Sequence, residues 1–506
     1  MLDLTLPRPF VPLDDVVGAG RIAFGLMFAV KLYFSLDARR LVWAHRVPFG
    51  NQRALTAILA GLVLANICFV LGLFTGPAAL AQYVLYLLAW RYASLFGLED
   101  VAFHMLCLYF ALAGAGSSLS LDHWLGTGLW GRLPSGTVIP ELALATAMGN
   151  IFLSAGVTKL FSPMWRTGLG AYYFFLLPNF RRLSTALITR NERVIRLVNT
   201  LALVMEMGFL PAVMISAIPL GLVFWIMGVG FTISLATVFV LTWIGEAMTV
   251  GMVIVAWLLW DTGTSGLAMR WMTELTIVSH PADVLLVAVL VGTLLASLLA
   301  AIVPDAKLLG QRPLMVRCYR IARLAARFTW GFLPCDVFTE AHMQGSIVYR
   351  VYAHPAGGGA TFEVFRIYGP TCGPGPDRFM RPTFYEVTAY KVAEVCMELD
   401  AYGDVKSPER LRFLLRLSDL IVNQVQLPSG QEIAALTFSV IQLVPPTQFE
   451  GAVHEWYSAQ PWRDAFRVTF RERQADRLTS LIRPILNAPT GRDLDRNSFE
   501  VNPMSN

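Results

Sequence analysis

Long runs of apolar residues occupy most of the first 303 positions of this chain, and they constrain its fold more than any other feature. A helix that crosses a bilayer needs about 20 mostly apolar residues, and runs of that order recur from residues 16–36 to residues 284–303. The chain of 506 residues is 55% hydrophobic and only 15% charged, whereas soluble domains are about 25% charged. The sequence therefore predicts an integral membrane protein.

The apolar runs predict a polytopic α-helical domain over residues 1–303, with eight or nine membrane-spanning helices. The runs cover residues 16–36, 54–74, 78–96, 101–116, 139–160 and 284–303, with two or three more helices in residues 197–260. A count of nine places the arginine-rich segments 36–53, 160–196 and 307–327 on one side of the membrane. Because basic loops face the cytoplasm, the C-terminal region is predicted to be cytoplasmic. The preference for arginine over lysine favours a bacterial source, and hence the bacterial inner membrane.

The composition changes after Pro304, and residues 304–485 are predicted to form a second, soluble α+β unit. Residues 346–354 and 360–368 alternate around a glycine-rich loop, which is typical of a β-hairpin. Residues 382–400 and 407–425 have helical spacing, the latter with Ser407 as N-cap and Pro408 in the first turn. Residues 432–444 predict another strand. Residues 369–378 are predicted to be a connecting loop, and the polar residues 486–506 a loose tail.

The chain lacks the motifs of well-known soluble enzymes. It has no Walker loop, Rossmann fingerprint, GxSxG or HExxH sequence. Its six cysteines are scattered without a CxxC pair or metal-ligand spacing, so no metal site is predicted. The net charge of +5 comes from basic blocks between apolar runs, and no nucleic-acid partner is expected.

Ionisable side chains inside the apolar runs are candidates for function, because a charge at bilayer depth is costly. They are Arg21, Lys31, Arg91, His104, Lys159, Glu206 and Glu246. Lys159 has two interpretations. A lysine near a helix end can extend to the lipid headgroups, whereas Ala155 and Gly156 one turn earlier would let another helix approach and bury the amine. A buried amine can lose its charge and serve as a base.

Three stretches together carry a resemblance to a known family. They are SLSLDHWLG at 118–126, GNIFLSAGVTKLFSPMWRTGLG at 149–170 and LVMEMGFLPAVM at 203–214. In this order and spacing they resemble the HTTM family, which includes the vitamin K-dependent γ-glutamyl carboxylase. The specific pattern Y-x-x-A-G-x-x-K-L-x-x-x-x-W-x-x-G is matched from Ala155 to Gly168, with Phe152 in place of the tyrosine. A W/Y-S-x-D pattern is matched at Ser120 and Asp122, and the resemblance covers roughly residues 10–300.

The resemblance implies a carboxylase-like membrane oxidoreductase or lyase. Such an enzyme would use a reduced quinone of the vitamin K or menaquinone type and O₂ to drive proton abstraction on a peptide or lipid substrate. Lys159 takes the place of the family's base, which deprotonates the reduced quinone. The implied catalytic residues are Lys159, His104, Glu99 and Asp100, and the implied cofactor-binding residues are Trp165, Asp122 and Glu206.

Two positions depart from the family. Glu99 and Asp100 lie about where the family has one histidine, and His104 follows about one helical turn later. Phe231 and Thr232 lie about where the family has a second histidine. The loss of both histidines argues against full γ-carboxylation.

A second hypothesis is a non-catalytic membrane scaffold or binding partner in the maturation or export of a secreted peptide. There Lys159 would be a conformational anchor paired with a carboxylate such as Glu206. A transporter is less favoured, because the chain shows no internal repeat. The partners expected for the enzyme are membrane lipid, a quinone and a peptide or protein substrate.

Overall fold

The computed structural model describes a chain that is mostly helical, with one antiparallel sheet near its C-terminal end. The described residues are 11–43, 46–93, 98–126, 138–176, 186–215, 218–237, 244–261, 267–278, 281–302, 313–328, 347–366, 382–424, 427, 432–442, 448–449, 462–470 and 499–503. The predicted loop at 369–378 lies outside them.

Each apolar run of the sequence contains a helix, and the described parts of residues 197–260 form three helices. The long helices are α1 (Leu13–Asp37), α3 (Gln52–Leu71), α4 (Thr75–Trp90), α5 (Leu98–Leu112), α7 (Ile139–Phe161), α11 (Glu192–Ile215), α12 (Ile218–Thr237), α13 (Ile244–Asp261) and α15 (Pro281–Ile302). Shorter helices lie between them: α2 (Arg39–Val42), α6 (Leu121–Leu125), α8 (Pro163–Arg166), α9 (Gly170–Leu176), α10 (Ala186–Thr189) and α14 (Leu267–Ile277).

Four helices are long and apolar enough to cross a membrane: Leu13–Asp37, Gln52–Leu71, Ile139–Phe161 and Glu192–Met214. Shorter apolar helices cover Val223–Thr237, Ile244–Leu258 and Val284–Ala296. Within the described residues this criterion gives four spans rather than eight or nine. The helices α4 and α5 have only 16 and 15 residues. The higher count remains a prediction.

Helix α7 lies at the centre of this region, where it contacts α5, α11, α13 and α15. Almost all of its residues are buried, and exposed apolar side chains occur at its end, at Leu160 and Phe161. Small residues allow this packing: Gly149 faces Leu210 of α11, and Gly251 of α13 faces Met148. The helix that carries Lys159 is therefore enclosed by other helices rather than by lipid.

The C-terminal region contains the sheet and three further helices, α16 (Pro313–Phe328), α17 (Pro382–Tyr402) and α18 (Pro408–Gln424). The strands are β1 (Ile347–Pro355), β2 (Phe362–Arg366), β3 (Ile433–Gln442), β4 (Arg463–Phe470) and β5 (Phe499–Pro503). The predicted hairpin, two helices and third strand are confirmed. Ser407 is the N-cap of α18, since its hydroxyl accepts a hydrogen bond from the Arg410 amide at 3.4 Å.

The sheet has the order β2-β1-β3-β4-β5, and all its pairs are antiparallel. Strand β4 was not predicted. The expectation of a loose tail was wrong for β5, because Phe499 lies opposite Phe470 and Pro503 opposite Phe466. The short polar segment of β5 has no hydrogen-bonding partner by itself. It finds one at the edge of β4, which would otherwise be open. The region also contacts the N-terminal helices, through α18 on α2 and an ion pair between Arg46 and Glu409.

Candidate functional site

Lys159 lies in a buried ion pair. Its ammonium contacts Glu206 Oε1 on α11, and the two residues are only 5% and 2% exposed. The Nζ atom also lies 4.7 Å from the centre of the Trp165 ring, a distance at which the ring face attracts a cation. The structure thus rules out a lysine that extends to the headgroups, and it brings together Lys159, Glu206 and Trp165 of the predicted site.

The Ala-Gly pair before Lys159 lets α11 approach, as the sequence predicted. A side-chain carbon added at Gly156 would lie 2.9 Å from Met207 Sδ and 3.1 Å from Glu206 Cβ. Both distances are shorter than ordinary van der Waals contact, so a larger residue would push α11 away. Gly156 therefore sets the spacing that allows the lysine and the glutamate to meet.

Trp165 is held in place by backbone contacts on both sides. The Ser162 hydroxyl accepts a hydrogen bond from the Trp165 amide at 3.4 Å and begins α8. Asn199 of α11 donates to the Trp165 carbonyl at 2.9 Å and accepts from the Ala171 amide at 3.1 Å. A side-chain carbon at Gly170 would lie only 2.2 Å from the Trp165 ring. The ring has little freedom to leave the ammonium.

One carboxylate oxygen of this site accepts no hydrogen bond from any residue that the structure describes. Glu206 Oε1 contacts the ammonium of Lys159. Glu206 Oε2 is buried and has no hydrogen-bond partner among the described residues. A buried polar atom without a partner is costly. The oxygen can therefore accept a hydroxyl of a ligand, or carry a proton itself.

A second buried ionic cluster joins α1, α4 and α5. Lys31 Nζ lies 2.9 Å from Asp100 Oδ1 and 3.6 Å from Glu99 Oε1. The Tyr86 hydroxyl donates to Asp100 Oδ1, and the ammonium lies 5.1 Å from the Phe103 ring centre. The Lys31 ammonium thus pairs with the carboxylates of Glu99 and Asp100, two residues of the predicted site. Lys159 pairs instead with Glu206.

His104 lies one turn along α5 from Asp100 and is 6% exposed. Its ring centre is 4.6 Å from that of Tyr83 and 6.4 Å from that of Tyr86. His104 Nε2 has no hydrogen-bond partner among the residues that the structure describes. It therefore borders the Lys31 cluster, through Tyr86, with a nitrogen available to a ligand or a proton.

Asp122 has a structural role in the observed contacts. Its carboxylate accepts hydrogen bonds from the amides of Phe74 and Thr75 at 2.8 and 2.7 Å, and from the Thr75 hydroxyl at 2.8 Å. These are free amides of the first turn of α4, which a carboxylate satisfies well. Nearby, Arg21 donates to the carbonyls of Phe69, Val70 and Leu119. The cofactor-binding role implied for Asp122 remains a prediction.

Sequence reasoning named Lys31 as an ionisable candidate but did not assign it to the site, and it missed Asn199. Lys31 had a visible signal, because it is a charge inside an apolar run. Asn199 had none, since an asparagine near a helix start is common in any fold. Asn150 of α7 was also missed, and both of its amide atoms are buried without a partner among the described residues.

No protein-family model, no curated protein and no solved structure matches the chain. Its resemblance to the HTTM family therefore remains a prediction that rests on the motif residues themselves.

Proposed function

We propose that this chain is a carboxylase-like enzyme of the bacterial inner membrane that removes a proton from a reduced quinone and, with O₂, drives proton abstraction on a peptide or lipid substrate. The observation that carries the proposal is the buried Lys159–Glu206 pair, in which Glu206 Oε2 has no hydrogen-bond partner among the described residues. Eight or nine spans and a cytoplasmic C-terminal unit belong to the same proposal.

The pair can act as a base because it can hold one proton in either of two places. With the proton on Glu206, the Lys159 amine is neutral and can accept a proton from a hydroxyl placed beside it. Glu206 Oε2 is a suitable site for that first proton, since no described residue donates a hydrogen bond to it. Exclusion of water by the surrounding helices keeps the amine from being reprotonated by solvent.

A reduced quinone fits the chemistry of these groups. Its hydroxyl can donate to Glu206 Oε2 or to the neutral Lys159 amine, beside the Trp165 ring that the resemblance assigns to cofactor binding. Bound there, a reduced quinone would supply the electrons that O₂ accepts. The residues themselves orient the hydroxyl, remove its proton and exclude water.

We assign the Lys31 cluster a supporting part in this proposal. Glu99 and Asp100 share one ammonium, and His104 Nε2 lacks a partner among the described residues. Such a group can exchange a proton or hold a substrate hydroxyl. We propose that the Lys31 cluster acts together with Lys159, as the resemblance implies.

The test is oxygen uptake by the purified protein supplied with reduced menaquinone or reduced vitamin K. We expect uptake with formation of the quinone epoxide, and loss of both in Lys159→Ala and Glu206→Gln. Lys391→Ala is the matched control, because Lys391 pairs with Glu394 on α17 and should leave uptake unchanged. Undiminished epoxide formation in folded Lys159→Ala would exclude Lys159 as the base.

The same ion pair favours the second candidate, a non-catalytic scaffold in which Lys159 anchors α7 to α11. An anchor needs charge and burial but no neutral amine, so Lys159→Arg should restore folding and partner binding. Under this function the wild-type protein would show no oxygen uptake, and Lys159→Ala would lower the yield of folded protein. Rescue by arginine of folding but not of uptake would favour the enzyme.

A further inference from the structure

Helix α16 carries a row of arginines. Arg317, Arg320, Arg323 and Arg327 are spaced by three or four residues, which places their positions on one side of a helix at about 3.6 residues per turn. Arg317 and Arg320 are exposed. The helix contacts α15, the last of the apolar helices.

Another side of α16 is apolar and also exposed. Leu314 and Ile321 are 72% and 58% exposed, and Cys318 between them is exposed as well. Tyr319 is only 1% exposed, and it lies roughly 140–160° around the helix from Leu314 and Ile321. Tyr319 thus marks the side that packs on the protein. Leu314, Ile321 and Arg317 lie on the opposite side, and Arg320 lies at its border.

We infer that α16 lies in the membrane surface, with Leu314 and Ile321 among the lipid acyl chains and Arg317 and Arg320 bound to anionic phospholipid headgroups. An exposed apolar face bordered by basic residues is the pattern of a helix that lies in the bilayer interface. Basic residues beside a membrane-spanning helix select anionic lipids by charge. If this side of α16 faced water, the large apolar side chains of Leu314 and Ile321 would both be exposed to solvent, which is unfavourable.

The position of α16 in the chain favours lipid over a protein partner. It begins eleven residues after α15 ends, and it packs against that helix. If α15 spans the bilayer, as the apolar run at residues 284–303 predicts, α16 is tethered at the headgroup layer. The inference depends on this membrane placement and is independent of any chemistry at Lys159.

Cys318 provides a native reporter for the first experiment. The full-length protein is labelled with an environment-sensitive fluorophore and reconstituted in nanodiscs of phosphatidylcholine with phosphatidylglycerol, and Cys318→Ser supplies the background from other cysteines. We expect the Cys318 signal to be quenched several-fold more by a phosphatidylcholine with a shallow doxyl group than by aqueous iodide. Dominant quenching by iodide, or by neither agent, would overturn the inference, since the face would then be open to water or covered by protein.

The second experiment tests the lipid charge. Arg317→Gln with Arg320→Gln should lower the retention of phosphatidylglycerol relative to phosphatidylcholine, measured by mass spectrometry after detergent exchange, by roughly 10–30-fold. Lys406→Gln with Arg412→Gln removes the same charge from the C-terminal helical region and should leave retention unchanged. Equal retention in the two double variants would overturn the role of the arginines, whether or not the protein oxidises a quinone.

Discussion

Removal of one partner from the buried ion pair should destabilise this protein far more than removal of both. In Lys159→Met, Glu206 keeps its carboxylate in a site where it is only 2% exposed. An uncompensated buried charge of this kind costs about 3–5 kcal/mol. Loss of the contact between the ammonium and the Trp165 ring, 4.7 Å away, adds about 0.5–2 kcal/mol.

The double variant Lys159→Met with Glu206→Met should recover most of that loss. Both side chains are replaced by apolar groups of similar length, so neither charge is left at bilayer depth, and such replacements are often close to neutral. We therefore expect a coupling energy of at least about 3 kcal/mol between the two positions. This corresponds to a factor of more than about 100 in the folding equilibrium.

The assay is reversible unfolding of the reconstituted protein in a titration with sodium dodecyl sulfate, followed by tryptophan fluorescence. The exposed ion pair between Arg196 and Glu192 supplies a matched control on α11, the helix that carries Glu206. Its Nη2 and Oε1 atoms are 2.7 Å apart, but the two side chains are 56% and 45% exposed. Glu192→Gln should cost only about 0.2–1 kcal/mol. Single variants of the buried pair that cost no more than this control, or a double variant whose cost equals their sum, would refute the reasoning.

Three further predictions concern packing and capping. Gly156→Leu should cost about 1–3 kcal/mol of unfolding free energy by overpacking and abolish oxygen uptake. Gly230→Leu should be tolerated, because a side-chain carbon added there meets nothing within 4 Å. Equal unfolding midpoints for the two variants would contradict this. Asp122→Ala should cost about 1–3 kcal/mol, because buried amides lose their acceptor, while the KM of the folded enzyme for reduced quinone stays unchanged. A raised KM would instead support cofactor binding by Asp122. Ser407→Ala should cost about 0.5–1 kcal/mol in thermal unfolding of the C-terminal region, and no measurable shift would show the cap to be dispensable.

The helices of the N-terminal region could be predicted because their signal is local. An apolar run must be helical wherever water is scarce, since only a helix satisfies its own backbone hydrogen bonds. Their ends were less predictable: the run at 78–96 suggested a longer helix than α4, which ends at Trp90. The residue at which an apolar helix ends depends on the helices and loops that pack around it.

The partners inside the bundle could be predicted only in part. Glu206 was a candidate partner for Lys159, because both are charges in apolar runs that follow each other. The pairing of Lys31 with Glu99 and Asp100 joins α1 to α5, and the sequence does not state which helices are adjacent. Strand β5 was missed for a similar reason, since its conformation is set by the edge of β4.

The position of β5 at one edge of the sheet has a consequence for biosynthesis. It is the last of the five strands in the chain, so a chain that ends before residue 499 leaves one edge of β4 uncovered. An unpaired edge invites pairing with another chain, and partly folded intermediates are prone to aggregate in this way. Chains truncated before residue 499 and released would therefore expose this edge of β4, and a bulky tag placed close to Pro503 would hinder the pairing that covers it.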